Sequence, residues 1–523
     1  MQNYIKIYVT GIIFCFLLSA CGFRERSFDT LHLRLNKDVT TLDPAYIVDV
    51  DGGRLAAYLY NGLVRLDYDL NIIPDIAMRW DISDDATRYR FYLRDDVSFT
   101  DGQKLTAHHV KTAFERLLDH KLASPRSWIF EKVRGAEEMI QGKSDSATGF
   151  VVVDDHTFDI ILSEPFSPFL SVLTTTNALI ALPYNGEYVA YCIGTGPFEI
   201  KLWERGNKMR FERNESYFDI KPKLSAILIR VIPEDFTAIT EFENGKIDIL
   251  EIPRAEFEYF TEKSGFKQYV HSAAILNTYY IGFNCQQYPY SLAQFRRTIS
   301  YAVNRQLIAD KFLDSRVQLA DSPVPPALLG TEIKVYPKQE YDTEKAKVLF
   351  SQLQRDWDTP LKLYIRSGDR ETEGVAELIQ HDLAKIGMDI QIEGLEWTTF
   401  KEKTDVGEVG MFILSWWADY PDIENFLFPL FHSSNLGGAG NRVRYVNDRF
   451  DRLIEQAKST IDKDNQNKLY EQALHIIMTD QPWVCLWHKK HFTVTQPWVR
   501  NYRQPSVHTT VEKGIDIFIE KGE

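Results

Sequence analysis

The sequence predicts an α/β protein whose core is divided between at least two lobes. The chain has 523 residues, and a chain of that length forms several hydrophobic cores rather than one enlarged core. Stretches with alternating apolar residues indicate strands, and stretches with apolar residues three and four positions apart indicate helices. In the second half of the chain the two kinds of stretch follow one another, which is typical of α/β architecture.

The first half begins with a short strand and continues with strands, turns and a helix. Leu31, Leu33 and Leu35 alternate with polar residues, which predicts a strand, and residues 151–162 predict a strand pair. Thr106 has the chemistry of a helix N-cap. The apolar face of the helix that follows it consists of Val110, Phe114, Leu117 and Leu118.

A βαβ unit is predicted for residues 361–392, because an alternating stretch, a helical stretch that ends at Gly387 and a second alternating stretch follow in turn. A right-handed crossover makes the two strands parallel. Two more helices are predicted near 448–460 and 463–479. An earlier helical face is predicted from Phe295, Ile299, Ala302, Val303 and Leu307.

The N-terminus has the pattern of an export signal. Lys6 is the only charged residue among the first 20, and the apolar run 11–18 is too short for a bilayer, which takes about 20 residues. Small residues before Cys21 resemble the lipobox of bacterial lipoproteins. We therefore expect a signal peptide over 1–20, lipid on Cys21 and a tether over 21–30, because several acyl chains hold a protein stably at a membrane. A plain signal peptide and an uncleaved anchor helix are the alternatives.

Charge and motif content favour a binding protein over an enzyme. The net charge of −14 argues against a nucleic-acid partner. No P-loop, G-x-S-x-G or H-E-x-x-H pattern is present. A hydrolase with paired carboxylates stays an alternative, because Asp and Glu are numerous. Cys192, Cys285 and Cys485 show no zinc spacing, and their pairing stays open; we expect no cofactor and no metal.

Several motifs recur in an order and spacing that together are specific. They resemble those of the large solute-binding proteins of bacterial peptide importers, the oligopeptide- and dipeptide-binding group, over essentially the whole mature chain. Asn61 departs from this pattern, which has Glu there. The motifs include Leu42-Asp43-Pro44, Tyr60-Asn61-Gly62-Leu63-Val64, Gly194-Thr195-Gly196-Pro197-Phe198, Ala302-x-Asn304-Arg305 and Trp416-x-Ala418-Asp419-Tyr420-Pro421-Asp422.

The resemblance implies the two-lobed fold of periplasmic binding proteins, with two crossing segments that act as a hinge. Lobe I would take residues 31–270, with a peripheral subdomain at about 60–180. Lobe II would take 271–490, and 491–523 would return to lobe I. The ligand would lie between the lobes.

The resemblance also implies the ligand contacts. Asp419 would bind the ammonium group of a peptide through a charge-assisted hydrogen bond. The backbone near Ser415 and Trp417, and that near Val50, would pair with the peptide as an added strand. Alternation places one of Trp416 and Trp417 in the core and the other in the cleft, without deciding which.

The partner of the peptide carboxylate is less determined. Arg366 and Arg370 end a strand beside a helix start, a position favourable to anions. Both could equally be exposed salt-bridge formers. Asp419 has an alternative interpretation too, because Asp before Tyr-Pro-Asp is a common loop signature.

The function implied is extracytoplasmic capture of short peptides by a monomer, held at the membrane by its lipid, for delivery to the permease of an ABC transporter. The same fold in relatives carries nickel complexes, haem or sugars, and a ligand without an amine would not need Asp419. Alternatives from other classes are a cleft hydrolase and a surface adhesin or sensor.

Overall fold

The structure, a computed structural model, describes residues 29–182, 193–334, 337–354, 357, 360–507 and 513–520. The predicted signal peptide, Cys21 and Cys192 lie outside these residues. The strands are β1 (Thr30–Leu35), β2 (Val64–Leu66), β3 (Ile72–Pro74), β4 (Ala77–Ile82), β5 (Arg88–Leu93), β6 (Phe150–Asp154), β7 (Thr157–Ile161), β8 (Phe198–Glu204), β9 (Lys208–Arg213), β10 (Ala226–Val231), β11 (Ile249–Glu251), β12 (Val270–Ala274), β13 (Asn277–Phe283), β14 (Val317–Leu319), β15 (Leu361–Arg366), β16 (Ile390–Leu395), β17 (Met411–Trp417), β18 (Trp483–Thr495), β19 (Val499–Arg500) and β20 (Phe518–Ile519).

The α-helices are α1 (Val50–Leu59), α2 (Ala107–Leu118), α3 (Ala136–Ile140), α4 (Phe169–Val172), α5 (Asp235–Glu243), α6 (Ala293–Ala302), α7 (Arg305–Leu307), α8 (Pro326–Leu329), α9 (Thr343–Ser351), α10 (Arg370–Ala384), α11 (Trp397–Val406), α12 (Glu424–Phe431), α13 (Asp448–Lys458) and α14 (Lys463–Asp480).

One mixed sheet runs through the molecule in the order β16-β15-β17-β13-β18-β11-β1-β10-β9-β8. The long strand β18 joins its two halves. The first part of β18 pairs with β13 and β14, and its last part pairs with β12 and β11. The strand β18 is therefore common to both halves of the molecule, and β12, β13 and β18 form the crossing between the halves.

Separate hydrophobic cores pack against the two halves. One core surrounds β1, β10 and α1, and two others surround β15, α10 and the helices α12 to α14. A further core lies between the antiparallel sheet β4-β5-β7-β6 and α2. The α/β prediction is confirmed, and the layers leave room for a cleft beside the crossing strands.

Local sequence signals explain several elements. β15 and β16 are parallel with α10 between them, so the predicted βαβ unit is confirmed. Thr106 is the N-cap of α2, and its amide donates to Nδ1 of His109 at 3.0 Å. Asp342 caps α9 by accepting from the amide of Lys345 at 2.9 Å.

The helix predicted through Leu307 is wrong at its end. α6 stops at Ala302, and a new short helix starts after Asn304, whose side chain accepts from the Leu307 amide at 3.0 Å. Arg305 turns inward and donates to the carbonyl oxygens of Ala320 and Cys485 at 2.6 and 2.8 Å. The Asn-Arg pair breaks the helix because each side chain satisfies backbone groups outside it.

The glycines at 194 and 196 fix the C-terminal end of α1. The Gly196 amide donates to the carbonyl oxygen of Leu59 at 2.9 Å. A Cβ on Gly196 would lie 2.3 Å from the Leu59 carbonyl carbon, and one on Gly194 would lie 2.2 Å from the Leu59 oxygen. Larger residues would displace α1, whose N-terminus lines a cavity between the two halves of the molecule.

Candidate ligand-binding cleft

A cavity of about 200 Å³ lies between the two halves of the molecule. Its first wall comes from residues 47–53, 126–128 and 174–177, and its second from residues 275–276 and 417–421. It contains three of the predicted site residues. These are Val50, Trp417 and Asp419.

The turn at Leu-Asp-Pro is fixed by a buried ion pair. Asp43 is 1% exposed and accepts from both terminal nitrogens of Arg116, with Nη1 at 2.7 Å from Oδ1. Asn177 donates from Nδ2 to the carbonyl oxygens of Pro44 and Ile47 at 2.6 and 3.0 Å. Because a buried charge without its partner is costly, this pair holds the chain that leads into α1 in one conformation.

The N-terminus of α1 forms the first wall. Asp49 is the N-cap, and its Oδ1 accepts from the amide of Gly52 at 2.7 Å. Arg126 donates to the carbonyl oxygen of Val48 at 3.3 Å. Val48 and Val50 are 60% and 55% exposed. The wall therefore offers apolar surface on a rigid backbone, as small-molecule sites commonly do.

The second wall has a strand with a partly unpaired edge. β17 pairs with β13 along its whole length, from Met411 to Trp417. On its other edge it pairs with β15 only at Met411 and Phe412. Among the described residues, the backbone of 413–417 has no strand partner on that edge. This segment, which contains Ser415, leads directly to the cavity, and an extended chain could add to it.

The two tryptophans of this strand have different environments. Trp417 is 44% exposed and lines the cavity, with Nε1 donating to Oγ of Ser415 at 3.3 Å. Trp416 packs against a hydrophobic core and its Nε1 donates to Oδ1 of Asn425 at 3.4 Å. Of the two tryptophans, Trp417 is therefore the one that lines the cleft, and Trp416 is the one that packs against the core.

Asp419 lies on the loop after β17, within the cavity wall. Its amide donates to Oδ1 of Asn425 at 3.0 Å. The side chain is accessible through the mouth of the cleft, yet the surrounding protein removes enough water to raise the pKa of the carboxyl. The charge of Arg126 and the hydrogen bond from Asn425 oppose that rise without cancelling it. The carboxylate is therefore only partly compensated, and a cation arriving in the cleft would stabilise it.

A buried polar cluster supports the Asp419 loop from behind. The Tyr420 hydroxyl donates to the Glu424 carboxyl, and burial raises the pKa of Glu424 to about 7. Asp422 accepts from Oγ of Ser171 at 3.3 Å, and the Tyr420 ring lies 6.4 Å from that of Trp128. Because Ser171 and Trp128 belong to the opposite half, the loop is held by both halves of the molecule.

A second cavity of about 350 Å³ continues beyond Trp417, which lines both cavities together with Ile275. Its walls come from the crossing strands and from both halves of the molecule. It is rich in cationic side chains. These are Arg34, Arg254, Arg316, Lys489 and Lys490, with His491 beside them.

Arg370 lines neither of these cavities. It is the exposed first residue of α10. The amides of Glu371 and Thr372 both donate to Oδ1 of Asp369 at 3.2 Å, so this helix start already has an anionic cap. Glu371, the next residue, accepts at 2.8 Å from Nη1 of Arg254, which lines the second cavity. The sequence thus indicated this helix start as a candidate anion site, but it did not indicate that cations surround Glu371.

The missed residues carried no local signal. Arg254, Arg316, Glu371 and Lys489 are widely separated along the chain, and each is an ordinary charged residue in its own segment. Only the pairing of β14 with β18, which sets Val317 opposite Lys489, brings two of them together.

Within the described ranges, no group of three or more His, Cys, Asp or Glu side chains could hold a metal ion. Over the same part of the chain, every helix falls short of the length and apolarity that a membrane crossing requires. Cys285 and Cys485 are free thiols, and burial raises their pKa values to about 11 and about 12.

The fold and cleft define a class of protein. The family model for bacterial extracellular solute-binding proteins, family 5, matches residues 71–438. The chain therefore belongs to this family, whose members are solute-binding proteins for transport by ABC importers. The two-lobed fold is confirmed by the solved structure of MppA, a periplasmic murein tripeptide binding protein in its unliganded open form, at a TM-score of 0.84 and 23% identity over 94% of this chain and 98% of that one.

Individual relatives cover most of the chain. Heme-binding protein A of Haemophilus influenzae is 29% identical over 85% of this chain and 84% of its own length. Di/tripeptide-binding protein 2 of Pseudomonas aeruginosa is 28% identical over 85% of this chain and 86% of its own length. Similarity of this degree to proteins with differently named ligands leaves the ligand to be argued from the cleft.

Proposed function

We propose that the protein captures short peptides outside the cytoplasm and delivers them to the permease of an ABC importer. Asp419 carries the proposal. It is a partly compensated carboxylate in the cleft wall, next to the unpaired backbone edge of 413–417. A free peptide has an ammonium group followed by repeating backbone donors and acceptors, and burying it requires a partner for each.

The ammonium group pairs with Asp419. The pKa of this carboxyl is raised by burial, and among the described residues Arg126 is the cation that lowers it. An ammonium group brought next to it would restore the ionised form and form a charge-assisted hydrogen bond. Closure of the two halves over the ligand would strengthen the pair by excluding water.

The peptide backbone adds to the cleft walls as a strand. Ser415 and Trp417 supply the unpaired edge of β17, and Trp416 anchors that strand to the core. The segment near Val50 faces it from the first wall. Backbone pairing binds without reading side chains, so peptides of different sequence would be accepted. Arg370 stays the candidate that the sequence offers as a partner of the peptide carboxylate.

The protein acts as a monomer held to the membrane by lipid on Cys21. The apolar run 11–18 and the small residues before Cys21 support this part of the proposal. Mass spectrometry of the mature N-terminus tests it, and an unmodified Cys21 in the exported protein would contradict it.

A non-peptide solute is the second candidate ligand, favoured by the similarity to a protein named for haem binding. Mass spectrometry of ligand that co-purifies with the protein separates the two candidates. A peptide supports the first proposal, and haem or another molecule without a primary amine contradicts it.

The sharper experiment is calorimetry with trialanine and N-acetyl-trialanine. We expect wild-type protein to bind the free peptide and Asp419→Asn to bind it about 100-fold more weakly, because a desolvated ammonium loses its partner, at a cost of about 3 kcal/mol. The acetylated peptide should bind both proteins equally weakly. Asp389→Asn, an exposed acid outside the cleft, is the matched control. Equal binding of the two peptides by wild-type protein would overturn the proposal.

A further inference from the structure

The cavity beyond Trp417 has a composition unlike that of the Asp419 cavity. The two share Trp417 and Ile275, so a ligand can extend from one into the other. At the Asp419 end the walls carry Asp49, Asp419 and Arg126. At the other end cations outnumber the lining acids, which are Asp235 and Glu251.

Two of the basic side chains in this second cavity already have acidic partners there. Arg34 lies 2.8 Å from Asp235, and His491 lies 3.3 Å from Glu251. Three other cations converge on one carboxylate. The distances from Glu371 to Arg254, Arg316 and Lys489 are 2.8, 3.3 and 2.9 Å.

This group, which we name the basic cluster (Arg254, Arg316 and Lys489), carries an excess of positive charge. Glu371 can neutralise only one of its three charges. Asp314 lies 3.9 Å from Nε of Arg316, but its side chain is 56% exposed and therefore well screened by water. Nε of Arg316 is buried and has no hydrogen-bond acceptor within the described residues.

The electrostatics of Glu371 agree with that excess. Burial alone would raise its pKa, but the charges of Lys489, Arg254 and Arg316 outweigh burial and lower it. Glu371 is thus fully engaged, and an ammonium group would be repelled from this place. An anion would be attracted by the positive charge that Glu371 does not neutralise.

We propose that the basic cluster binds a carboxylate of the ligand, on the opposite side of Trp417 from the ammonium site. The inference rests on the proposed function, because it takes the ligand to be a peptide with its amine at Asp419. The carboxylate comes either from the peptide C-terminus or from an acidic side chain. Both have the same chemistry, and guanidinium groups bind carboxylates through two parallel hydrogen bonds.

The position of the cluster gives it a part in enclosing the ligand. Arg254 follows β11, Arg316 precedes β14, and Lys489 lies in β18 at the crossing between the halves. The amide of Lys490 donates to the carbonyl oxygen of Arg316 at 3.1 Å, which ties two of these segments together. A carboxylate held by Arg254 and Arg316 together would connect the two halves of the molecule.

Calorimetry with three ligands tests the proposal and separates the two carboxylate sources. The ligands are trialanine, its C-terminal amide, and the amide of Ala-Glu-Ala. We expect the wild-type protein to bind trialanine about tenfold more tightly than its amide if the terminus enters the cluster. If an acidic side chain enters instead, the glutamate peptide should bind more tightly than the trialanine amide by a similar factor.

Single-charge variants identify the residues. Arg316→Gln should reduce the preference for the carboxylate ligand to about twofold or less, while Arg449→Gln, an exposed cation outside both cavities, should keep it. Arg254→Gln, at the more exposed member of the cluster, gives the same test with less risk to folding. Arg370→Gln distinguishes this cluster from the helix start beside it.

The outcomes that overturn the inference are distinct from those that overturn the function. Peptide binding that depends on Asp419 but ignores every ligand carboxylate contradicts the basic cluster alone. A preference lost only in Arg370→Gln also contradicts it. Failure of all peptides to bind contradicts the proposed function and this inference together.

Discussion

Two carboxylates at opposite ends of the cleft show opposite behaviour. Asp419 is compensated in part by the charge of Arg126 and by a hydrogen bond from Asn425, but desolvation still raises its pKa. Glu371 contacts three cations, which lower its pKa against the effect of burial. The same functional group is thus left available at one end and fully paired at the other.

The comparison teaches that a cleft can orient a ligand by unequal pairing of its own charges. The partly compensated Asp419 attracts a positive group. The cations around Glu371 exceed the charge they neutralise, so they attract a negative group. Because a peptide has one group of each sign, it would enter in a single direction.

The largest effect is expected at the acidic end, from pH. Burial raises the pKa of Glu424 to about 7, the neighbouring Asp422 adds to the rise, and Tyr420, Lys458 and Lys132 oppose it. An acid with a raised folded-state pKa stabilises the fold fully below its unfolded pKa, near 4.5, and that contribution is lost as pH rises through about 7. We expect wild-type protein to lose about 2 kcal/mol relative to Glu424→Gln between pH 5 and pH 8.

Urea denaturation of both proteins across that range measures this difference. A matched control is Glu408→Gln, because Glu408 lies in an exposed pair with Lys403. If wild-type and Glu424→Gln showed parallel pH profiles, Glu424 would be ionised throughout and the acidic end would not differ from ordinary surface carboxylates.

The next-largest effect tests the difference between Glu371 and Asp419 directly. Glu371→Gln should lower the free energy of unfolding by about 1 kcal/mol at pH 7, because three neighbouring cations lose their shared anion, with screening at the more exposed Arg254 and Lys489. Asp419→Asn should leave it unchanged or raise it slightly, because it removes a partly desolvated charge.

Urea denaturation at pH 7 and pH 4 checks both variants. The lowered pKa of Glu371 means that its contribution is present above its unfolded pKa and is lost as pH falls through the folded value. The Glu371→Gln difference should therefore shrink in acid. Equal destabilisation by the two substitutions would remove the contrast between the ends.

The smallest effect is expected from salt. Arg254 and Lys489 are 46% and 35% exposed, so raising ionic strength from about 0.05 to 0.5 M should weaken carboxylate recognition by about two- to threefold. The preference for a free amine at Asp419, where desolvation by the surrounding protein raises the pKa of the carboxyl, should change less. Calorimetry of trialanine, its amide and its acetylated form at both salt concentrations measures how carboxylate and amine recognition depend on salt. If both depended on salt to the same extent, the charges at the two ends of the cleft would be screened equally by solvent.

The sequence predicted the structural features that depend on residues close together in the chain. The helix start at Thr106 and the parallel βαβ unit follow from capping chemistry and periodicity, and both are confirmed. The prediction of a helix through Leu307 failed, because the Asn304 amide donates to the Asp382 carboxylate and the Arg305 side chain donates to the carbonyl oxygen of Ala320. Periodicity reveals neither of these distant contacts. Alternation could not choose between Trp416 and Trp417, since the choice depends on which face packs against the core.

The two ends of the cleft differ in the same respect. Asp419 lies within one contiguous motif, so the resemblance of that motif was enough to single it out. The basic cluster is assembled from segments near residues 254, 316, 371 and 489. Its members come into contact only through sheet pairing and helix placement, so the order of residues along the chain does not predict the cluster.

The position of β18 in the chain has a consequence for biogenesis. Its partners β11, β12, β13 and β14 end by Leu319, whereas β18 itself is not complete until Thr495. The central ladder thus stays open until the chain has been synthesised to Thr495, and such non-local pairing forms slowly. A chain whose central strand pairs late stays unfolded for longer, as the proposed export of this protein would require.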